Sequence, residues 1–494
     1  MKSLIFVLLY AHMWHATAIA RQKNELTLEN CIAIALHKGY AAQNAAQQYF
    51  AASRSSEAQS RAASTTIDLS LRAPDYNESL TNQFNPISQR YEFYQLQTTY
   101  LRSDLSINQP IALSGGNLSF SGDFFKRDQL TGSAGSSSEL NDYFSYFQVQ
   151  YRQPILAANA IRIGKDQSLL RLEQSVSAYR KDQLDVVFNV TDAFYAAYRA
   201  SEAEKISADQ VRQNQESYET AKSKYGAGLI PEVEFLQSDV DLVTSKNQLL
   251  NDQREAARAG NALKLLIGLP LEGEIGLKSD LAYSPLTVER DSAIAKAVEN
   301  RSDLLNARRA RDITRMDLDL ASSSRRVRLD LTASYGLNRN DTQLETVFQD
   351  FGRSRAVALD LTVPLFDWGR HALEVEAAEA ELKMADLACT NTEQRIRQEI
   401  MDLLSQISVA ESRIEVLAKS VDVAQKGYEI SLERFRAGTI TRNDLAQAQQ
   451  RLTTSKLNNL ISLIDYRLGV ADLTRKTLWD FERNQPVETT LPVE

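Results

Sequence analysis

The sequence is poor in the residues from which catalytic and metal sites are usually built. Its 494 residues include two cysteines and four histidines. Two of those histidines lie within the first 20 residues, which leaves His37 and His371, and no H-E-x-x-H, clustered-cysteine or G-x-S-x-G motif is present. The sequence therefore predicts no enzyme, no catalytic residue, no cofactor and no metal site. Two cysteines do not make a disulfide framework. We expect Cys31 and Cys389 to be free and mostly buried, and a bridge between them is the alternative.

Long apolar segments and an excess of basic charge are also missing. Beyond the N-terminus, no segment has the roughly 20 apolar residues of a transmembrane helix. The formal net charge is -8, which argues against a nucleic-acid partner, because such a partner would call for a basic patch.

The N-terminus has the features of a secretory signal peptide. Lys2 precedes the apolar run Leu4–Ala11, and small residues follow in Ala18-Ile-Ala20. We therefore predict a signal peptide at residues 1–20. A single membrane anchor is the alternative, but the apolar run is too short to span a bilayer.

The main positive feature of the sequence is a large internal repeat. Tyr218–Ile230 matches Tyr428–Ile440 at an offset of 210 residues, and the match continues without a gap to Lys246 and Lys456. A shorter match relates the segments that begin at Leu26 and Leu286. Such repetition predicts two copies of one unit, each of which needs the other to bury its apolar faces. We expect a first repeat at 21–270, a linker at 271–285, a second repeat at 286–478 and a tail at 479–494.

Each predicted repeat contains long amphipathic helices. Apolar residues recur at helical spacing through stretches without Gly or Pro, a pattern typical of coiled-coil-like packing. A glycine, Gly228 or Gly438, ends each long helix, as expected at a left-handed helix cap. The predicted helices are a short one at Leu28–Ala63 and at Val288–Arg325, a long one at 165–225 and at 371–435, and a return helix at 232–267 and at 441–477.

Strands are predicted between the short and the long helices, at 66–153 and at 327–363. Val327–Tyr335 and Val357–Val363 alternate strictly between apolar and polar residues, as do two segments of the first repeat. This alternation fits a barrel with lipid outside and water inside. The sequence leaves open whether a further pair at 105–125 joins such a barrel, and it predicts an exposed loop at Thr131–Ser138.

Several segments, in this order and in both repeats, resemble the TolC family of outer-membrane channel proteins. They are Leu26–Leu36, Gln153–Leu156, Val363–Arg370 and Arg436–Ile440 followed by Asp444. The resemblance implies a mainly α fold with a membrane β-barrel portion, in which long coiled-coil-like helical hairpins and strands, arranged as two internal repeats, form a trimeric α/β barrel. The homotrimer would lie in outer-membrane lipid and extend its helices into the periplasm.

The resemblance also implies a passive exit duct, for efflux of small molecules or type I protein secretion. A periplasmic adaptor protein and an inner-membrane pump would be its partners. The alternative is a non-conducting periplasmic coiled-coil protein that bridges the layers of the cell envelope. An exported enzyme is a third possibility, for which no substrate can be named.

The resemblance places the candidate site at the helix tips. Asp444, Arg442 and Gln447 would line the periplasmic entrance, where Asp444 from three chains would attract cations. Family members can carry a second acid at the place of Gln447. Glu234 is the equivalent acid of the first repeat. The alternative is that both acids are first-turn carboxylates favoured by the helix dipole.

The resemblance to the TolC family also suggests roles for three further groups of residues. Arg434, Arg436 and Arg442 would either close the entrance through ion pairs or form ordinary surface. Trp368 would anchor the barrel at the lipid boundary, or would pack at the bend between strand and helix. The predicted adaptor contacts are Tyr225, Gly228, Leu229, Ile230, Phe435, Gly438, Thr439 and Ile440.

Overall fold

The computed structural model describes residues 25–85, 88–133, 136–273, 275–279, 281, 283–323, 327–487 and 491, so the predicted signal peptide lies outside the described residues. The helices are α1 (Leu28–Lys38), α2 (Tyr40–Arg61), α3 (Ala160–Gly226), α4 (Glu232–Ile267), α5 (Arg290–Asn300), α6 (Ser302–Ser323), α7 (Arg370–Arg436) and α8 (Arg442–Thr477). The long strands are β2 (Thr66–Asn85), β3 (Arg90–Ile111), β4 (Gly116–Ser133), β5 (Ser136–Pro154), β7 (Arg328–Asp341) and β8 (Gly352–Thr362). Four two-residue strands are β1 (Glu25–Leu26), β6 (Gly276–Leu277), β9 (Trp479–Asp480) and β10 (Gln485–Pro486).

The described residues fall into two compact units. Those within Met1–Phe50, Val176–Leu305 and Asn391–Glu494 form one, which we call the helical unit. Those within Ala51–Ser175 and Asn306–Thr390 form the other, which we call the strand unit.

The two long helices, α3 and α7, have the same length of 67 residues. At 1.5 Å per residue, each extends over about 100 Å. α3 begins five residues before the predicted start at 165. The side chain of Asn159 accepts a hydrogen bond from the backbone N–H of Arg162 at 3.0 Å, and asparagine favours helix starts. In the part of the chain that the structure describes, no helix has an apolar stretch long enough to cross a bilayer.

Each predicted short helix is in fact two helices, so the single helices predicted at Leu28–Ala63 and Val288–Arg325 are wrong. Gly39 separates α1 from α2 and has extended backbone, with ψ of 135°. Arg301 separates α5 from α6 in the same conformation, with ψ of 122°. The residue after each break starts a new helix, because only one residue leaves helical geometry.

The core of the helical unit repeats in the same way as the sequence. One apolar cluster joins α1, α3 and α4 through Cys31, Val190, Phe194 and Leu263, each almost fully buried. A second cluster joins α5, α7 and α8 and is built around Ile396, Ile400, Leu403, Tyr466 and Leu473, with Ala293 and Ala297 from α5. Each short helix therefore packs against a long helix and its return helix.

Both cysteines are free thiols. Cys31 is buried in the first core cluster, whereas Cys389 is only half-buried. Desolvation by burial raises the pKa of the Cys31 thiol to about 11. A thiol with a pKa that high is protonated at neutral pH and does not react as a nucleophile.

The linker and the tail also carry short paired strands. β6, within the predicted linker at 271–285, pairs in parallel with β1 next to the start of α1. β9 and β10, within the predicted tail at 479–494, pair with each other in antiparallel orientation. Backbone pairing therefore also orders parts of the linker and of the tail, outside the long helices of the two repeats.

The strand unit contains one antiparallel sheet in the order β2-β3-β4-β5-β7-β8. The pair whose place the sequence left open, at 105–125, lies inside this sheet as parts of β3 and β4. The exposed loop predicted at Thr131–Ser138 is wrong for most of its length. Residues 131–133 belong to β4 and residues 136–138 to β5, and they pair with each other, while residues 134–135 lie outside the described residues.

The sheet has one apolar and one polar face. Successive residues of a strand point to opposite faces, so the register assigns each side chain to one of them. The apolar face includes Leu329 and Leu331 of β7 and Leu359 and Leu361 of β8. Leu359 and Leu361 are each 62% exposed, as are similar residues of β2, where Leu69 is 63% exposed. A row of exposed apolar side chains on one face of a sheet is typical of a surface that contacts lipid or another protein.

The polar face is crossed by ion pairs between neighbouring strands. Arg127 of β4 makes a bidentate contact with Asp142 of β5 at 2.9 and 2.6 Å. Arg152 of β5 lies 3.7 Å from Asp330 of β7. Charged groups on one face and leucines on the other match the alternation that the sequence predicts.

Candidate functional site at the helix tips

The two long helices end in the same backbone motif. At the end of α3, the N–H of Gly228 donates to the carbonyl of Tyr225 at 2.9 Å, and the N–H of Leu229 donates to that of Lys224 at 2.9 Å. At the end of α7, the N–H groups of Gly438 and Thr439 donate in the same way, at 3.0 and 2.9 Å. This paired arrangement is a Schellman motif. Gly228 and Gly438 have φ of 71° and 73°, where a side chain is strained.

Asp444 completes the start of the second return helix. Its carboxylate accepts hydrogen bonds from the backbone N–H of Thr441 at 3.0 Å and from the Thr441 hydroxyl at 2.7 Å. The N–H of Asp444 donates back to Thr441 Oγ1 at 3.3 Å, which makes a capping box. The hydrogen bonds from Thr441, followed by the charge of Arg434, lower the pKa of Asp444 below its ordinary value. Asp444 is therefore a solvent-exposed, ionised carboxylate that also caps a helix.

Glu234 lies at the equivalent place in the first repeat but has different surroundings. It is in the first turn of α4, whose N-cap is Pro231, and this cap has no side-chain hydrogen bond. Glu234 is half-buried, whereas Asp444 and Gln447 are exposed. The two acids are thus equivalent in sequence, and only Asp444 takes part in a capping box.

Arg442 connects the two repeats. Its guanidinium donates from Nη1 to a carboxylate oxygen of Asp241 on α4. The Arg442 side chain is 9% exposed and that of Asp241 is 37% exposed, so Arg442 is buried at the tip rather than lining an open surface. Sequence reasoning missed Asp241, since nothing at its position marks it within its own repeat. Its partner comes from the other repeat, and only the fold brings them together.

The other two tip arginines are exposed. Arg436 pairs with Glu433, one turn earlier on α7, at 2.9 Å. Arg434 offers its backbone carbonyl to the N–H and the hydroxyl of Thr439, at 2.9 and 3.0 Å. An exposed ion pair within one helix contributes little to stability.

Most of the predicted adaptor contacts are accessible. Leu229 is 73% exposed and Tyr225 is 39% exposed, and Thr439 is exposed as well. Ile230, Phe435 and Ile440 are half-buried. The ring of Tyr225 stacks on Phe235 at 5.4 Å, and the ammonium group of Lys224 lies 5.0 Å from the centre of the Phe435 ring. These contacts fix the aromatic side chains of both tips.

Rows of exposed apolar side chains extend along the helices behind the tips. On α7, Val409, Val416, Val423 and Ile430 recur every seven residues and are 49 to 68% exposed. On α4, the exposed residues are Val233, Leu236, Val240, Val243 and Leu250. Recurrence every seven residues, or at alternating spacings of three and four, marks the seam of a coiled coil. Each row therefore lacks a packing partner among the described residues of one protomer.

Trp368 lies in the strand unit at the start of α7. Its side chain is 87% exposed and its φ is 60°, an uncommon conformation for a bulky residue. The carboxylate of Asp367 accepts the N–H groups of Gly369 at 3.1 Å and His371 at 3.0 Å, and so caps α7. Phe366 contacts the Trp368 ring edge-on at 4.8 Å and is itself 72% exposed. Both aromatic rings of this turn are therefore exposed.

Among the described residues, no group of three or more His, Cys, Asp or Glu side chains is arranged to hold a metal ion.

The model of a protein family described as outer membrane efflux protein matches residues 118–269 and 293–466. These two segments cover most of the two sequence repeats. The chain is 24% identical to the outer membrane protein TolC of Vibrio cholerae over 63% of this chain and 72% of that one. It is 22% identical to the solvent efflux pump outer membrane protein SrpC of Pseudomonas putida over 61% of this chain and 65% of that one.

Solved structures share the fold over nearly the whole chain. The Campylobacter jejuni CmeC outer membrane channel superimposes with a TM-score of 0.68 at 16% identity, over 94% of this chain and 87% of that one. The outer membrane protein VceC of Vibrio cholerae gives a TM-score of 0.66 at 16% identity, over 93% and 97%. At this level of identity the similarity establishes the fold.

Proposed function

Since the chain belongs to the outer membrane efflux protein family, we propose that it is the passive outer-membrane duct of a tripartite export system. It lies in the outer membrane through its sheet and extends its helical hairpins into the periplasm. The observation that carries this function is the six-stranded sheet with an exposed apolar face and a charged polar face. A closed wall built from such sheets has lipid on one side and water on the other.

The working form in this proposal is a homotrimer. The exposed apolar rows on α4 and α7 support it, because the heptad spacing of α7 suits the α4 row of a second copy. The outer edges of β2 and β8 support it as well, because neither edge has a strand partner in the described part of the chain and backbone groups in lipid need hydrogen-bond partners.

A periplasmic adaptor protein and an inner-membrane pump complete the proposed system. The names of the relatives describe parts of efflux pumps, and the family is one of efflux proteins rather than of enzymes. We propose that the adaptor binds the exposed tip residues, with Leu229 and Thr439 at the centre of the contact. The pump supplies the energy, so the duct itself needs no catalytic group. The cargo is small molecules or a protein secreted by the type I route.

The tips control the periplasmic entrance in this proposal. Three copies of Asp444 form a negative ring, supported by the exposure and the lowered pKa of this carboxylate. Gln447, one turn later, adds no charge to the ring. Arg442 and Asp241 hold the two hairpins of each protomer together. Trp368 anchors the wall at the lipid boundary, supported by its exposure.

Conductance in a planar bilayer tests the proposed function. The purified full-length protein is expected to give discrete, cation-preferring channel events. A periplasmic protein that only bridges the layers of the envelope would give none, and that result would overturn the proposal.

A further inference from the structure

The sheet contains a hairpin, β3–β4, that has no counterpart among the described residues of the second repeat. Leu26 to Pro154 spans 128 positions, whereas the equivalent stretch from Leu286 to Pro364 spans 78, so the first repeat carries 50 additional residues. β2 follows α2 as β7 follows α6, and the proline that ends β5 corresponds to the one that follows β8. The additional residues are therefore those of β3, β4 and their connections.

The additional hairpin continues the apolar face without a break. Ile67 of β2 lies opposite Ile107 of β3, which lies opposite Phe120 of β4, which in turn lies opposite Val149 of β5. All four side chains point to the same face, because residues opposite each other in an antiparallel pair share a face. A hairpin folded back against the sheet would interrupt this row.

The polar face continues through the hairpin as well. Arg102 of β3 contacts Asp104 on its own strand at 2.5 Å and Asp123 of β4 at 3.2 Å. Asn117 of β4 donates to Asn108 of β3 at 2.6 Å. β3 and β4 therefore have the same division into an apolar and a polar face as the strands that flank them.

The two edges of the sheet are suited to each other. In the described residues, β2 and β8 each pair on one side only. The six strands alternate in direction, so β2 and β8 run in opposite senses, and β2 of one copy beside β8 of the next forms an antiparallel ladder. Repetition of this contact closes a cylinder and satisfies both edges, as a bilayer requires.

We propose that three copies close a single barrel of 18 strands, six from each copy, with the β3–β4 hairpin as part of its wall. This inference rests on the proposed function, which supplies the membrane and the trimer. Barrel diameter grows roughly linearly with strand number. The hairpin thus makes the barrel about 1.5 times as wide as one built from β2, β5, β7 and β8 alone. Barrels of about 16 to 18 strands leave an aqueous channel, so the outer part of the duct admits bulky solutes.

Excision of the β3–β4 hairpin tests the proposed width of the barrel. Deleting residues 90–133 leaves β2 and β5 joined by the six residues 86–89 and 134–135, and preserves the alternation of strand directions. Neutral polymers of graded size are added on the extracellular side of reconstituted channels, where the periplasmic tips do not limit their access. The largest polymer that enters and lowers the conductance is expected to be smaller for the excised protein. An unchanged cut-off would overturn the inference.

Matched arginine substitutions test whether β3 is part of the barrel wall, even where the excised protein fails to assemble. Ile107→Arg on the apolar face of β3 is expected to abolish trimers in the outer membrane, whereas Ser106→Arg on its polar face is expected to leave them intact. Leu359→Arg and Ala358→Arg form the same pair on β8. If Leu359→Arg alone prevents assembly, β3 lies outside the wall and the inference falls while the proposed function stands. If all four variants assemble, the proposed function falls too.

Discussion

Arg442, at the start of the second return helix, is bound to Asp241 on the return helix of the first repeat. The contact joins two residues 201 positions apart and is one link between the tips of the two hairpins. The arginine is almost fully buried and the acid is about one-third exposed. A change at the acid therefore leaves a buried cation without its partner.

We predict that Asp241→Asn loosens the tip and increases the time the reconstituted channel spends open. An exposed ion pair contributes at most about 1 kcal/mol to stability, and breaking a buried pair costs about 3–5 kcal/mol. Because Arg442 is buried and Asp241 is partly exposed, we expect the loss of their contact to cost an energy between these two values. An effect of about 1.4 kcal/mol corresponds to a tenfold rise in open probability. Single-channel recording measures it. Asp239→Asn, at an exposed acid on the same helix, is the control and should leave gating unchanged. Equal behaviour of the two variants would contradict the role of Asp241.

The carboxylate of Asp444 is expected to set the cation selectivity of the channel. Asp444→Asn removes the charge but keeps an oxygen that can accept hydrogen bonds from Thr441, so we expect a loss of cation preference with little change in helix stability. Reversal potentials in a salt gradient measure the preference. Gln447→Glu, which adds an acid one turn later, should increase it. Unchanged reversal potentials in Asp444→Asn would remove this residue from the entrance.

The lowered pKa of Asp444 also sets the pH range of this selectivity. The charge of Asp444 in the folded channel depends on its pKa in the folded state, which lies below the ordinary value of about 3.9. We therefore expect the Asp444-dependent part of the selectivity to be constant from pH 7 to about pH 5 and to be lost only as the pH falls through the lowered pKa. A decline near pH 6 would show that another group carries it.

Gly438 allows a test of the backbone motif at the tip. Its φ is 73°, and a Cβ built there would meet no atom within 4 Å, so the cost of a side chain comes from backbone strain alone. Gly438→Val is expected to destabilise the tip by roughly 1–2 kcal/mol and to impair pump-dependent export. Gly438→Asn is the control, because asparagine tolerates the left-handed conformation. Export at normal levels by the valine variant would contradict the prediction.

The features that sequence reasoning predicted well are those with a local chemical cause. Gly228 and Gly438 mark helix ends because few other residues adopt their conformation, and both lie at positive φ. The alternation in Val357–Val363 predicted one face of β8 correctly, because each side chain must point to one side of the sheet. Repetition then allowed one half of the chain to be interpreted from the other.

The features that sequence reasoning missed depend on distant contacts. The break at Arg301 has no proline or glycine to mark it, and the arginine there contacts Asp303 at 3.2 Å and Glu399 at 2.5 Å. Strand lengths were underestimated, because β2 and β3 extend into polar sequence whose pairing comes from neighbouring strands. The partner of Arg442 was missed for the same reason. Local patterns fix the type of an element, and tertiary contacts fix its limits and its partners.

We expect Trp368 to anchor the protein at the membrane interface. The chain has three tryptophans, of which Trp14 lies in the predicted signal peptide and Trp479 belongs to the helical unit. In a Trp479→Phe background, the fluorescence of the mature protein therefore reports Trp368 alone. An interfacial indole is expected to be quenched most strongly by lipids brominated near the glycerol backbone, and less by lipids brominated at the chain ends. The matched Trp368→Phe variant keeps Trp479, which lies in the periplasm in the proposed arrangement and should escape quenching by both lipids. If the fluorescence of Trp368 also escapes quenching by both brominated lipids, Trp368 packs against protein at the bend and does not anchor the barrel.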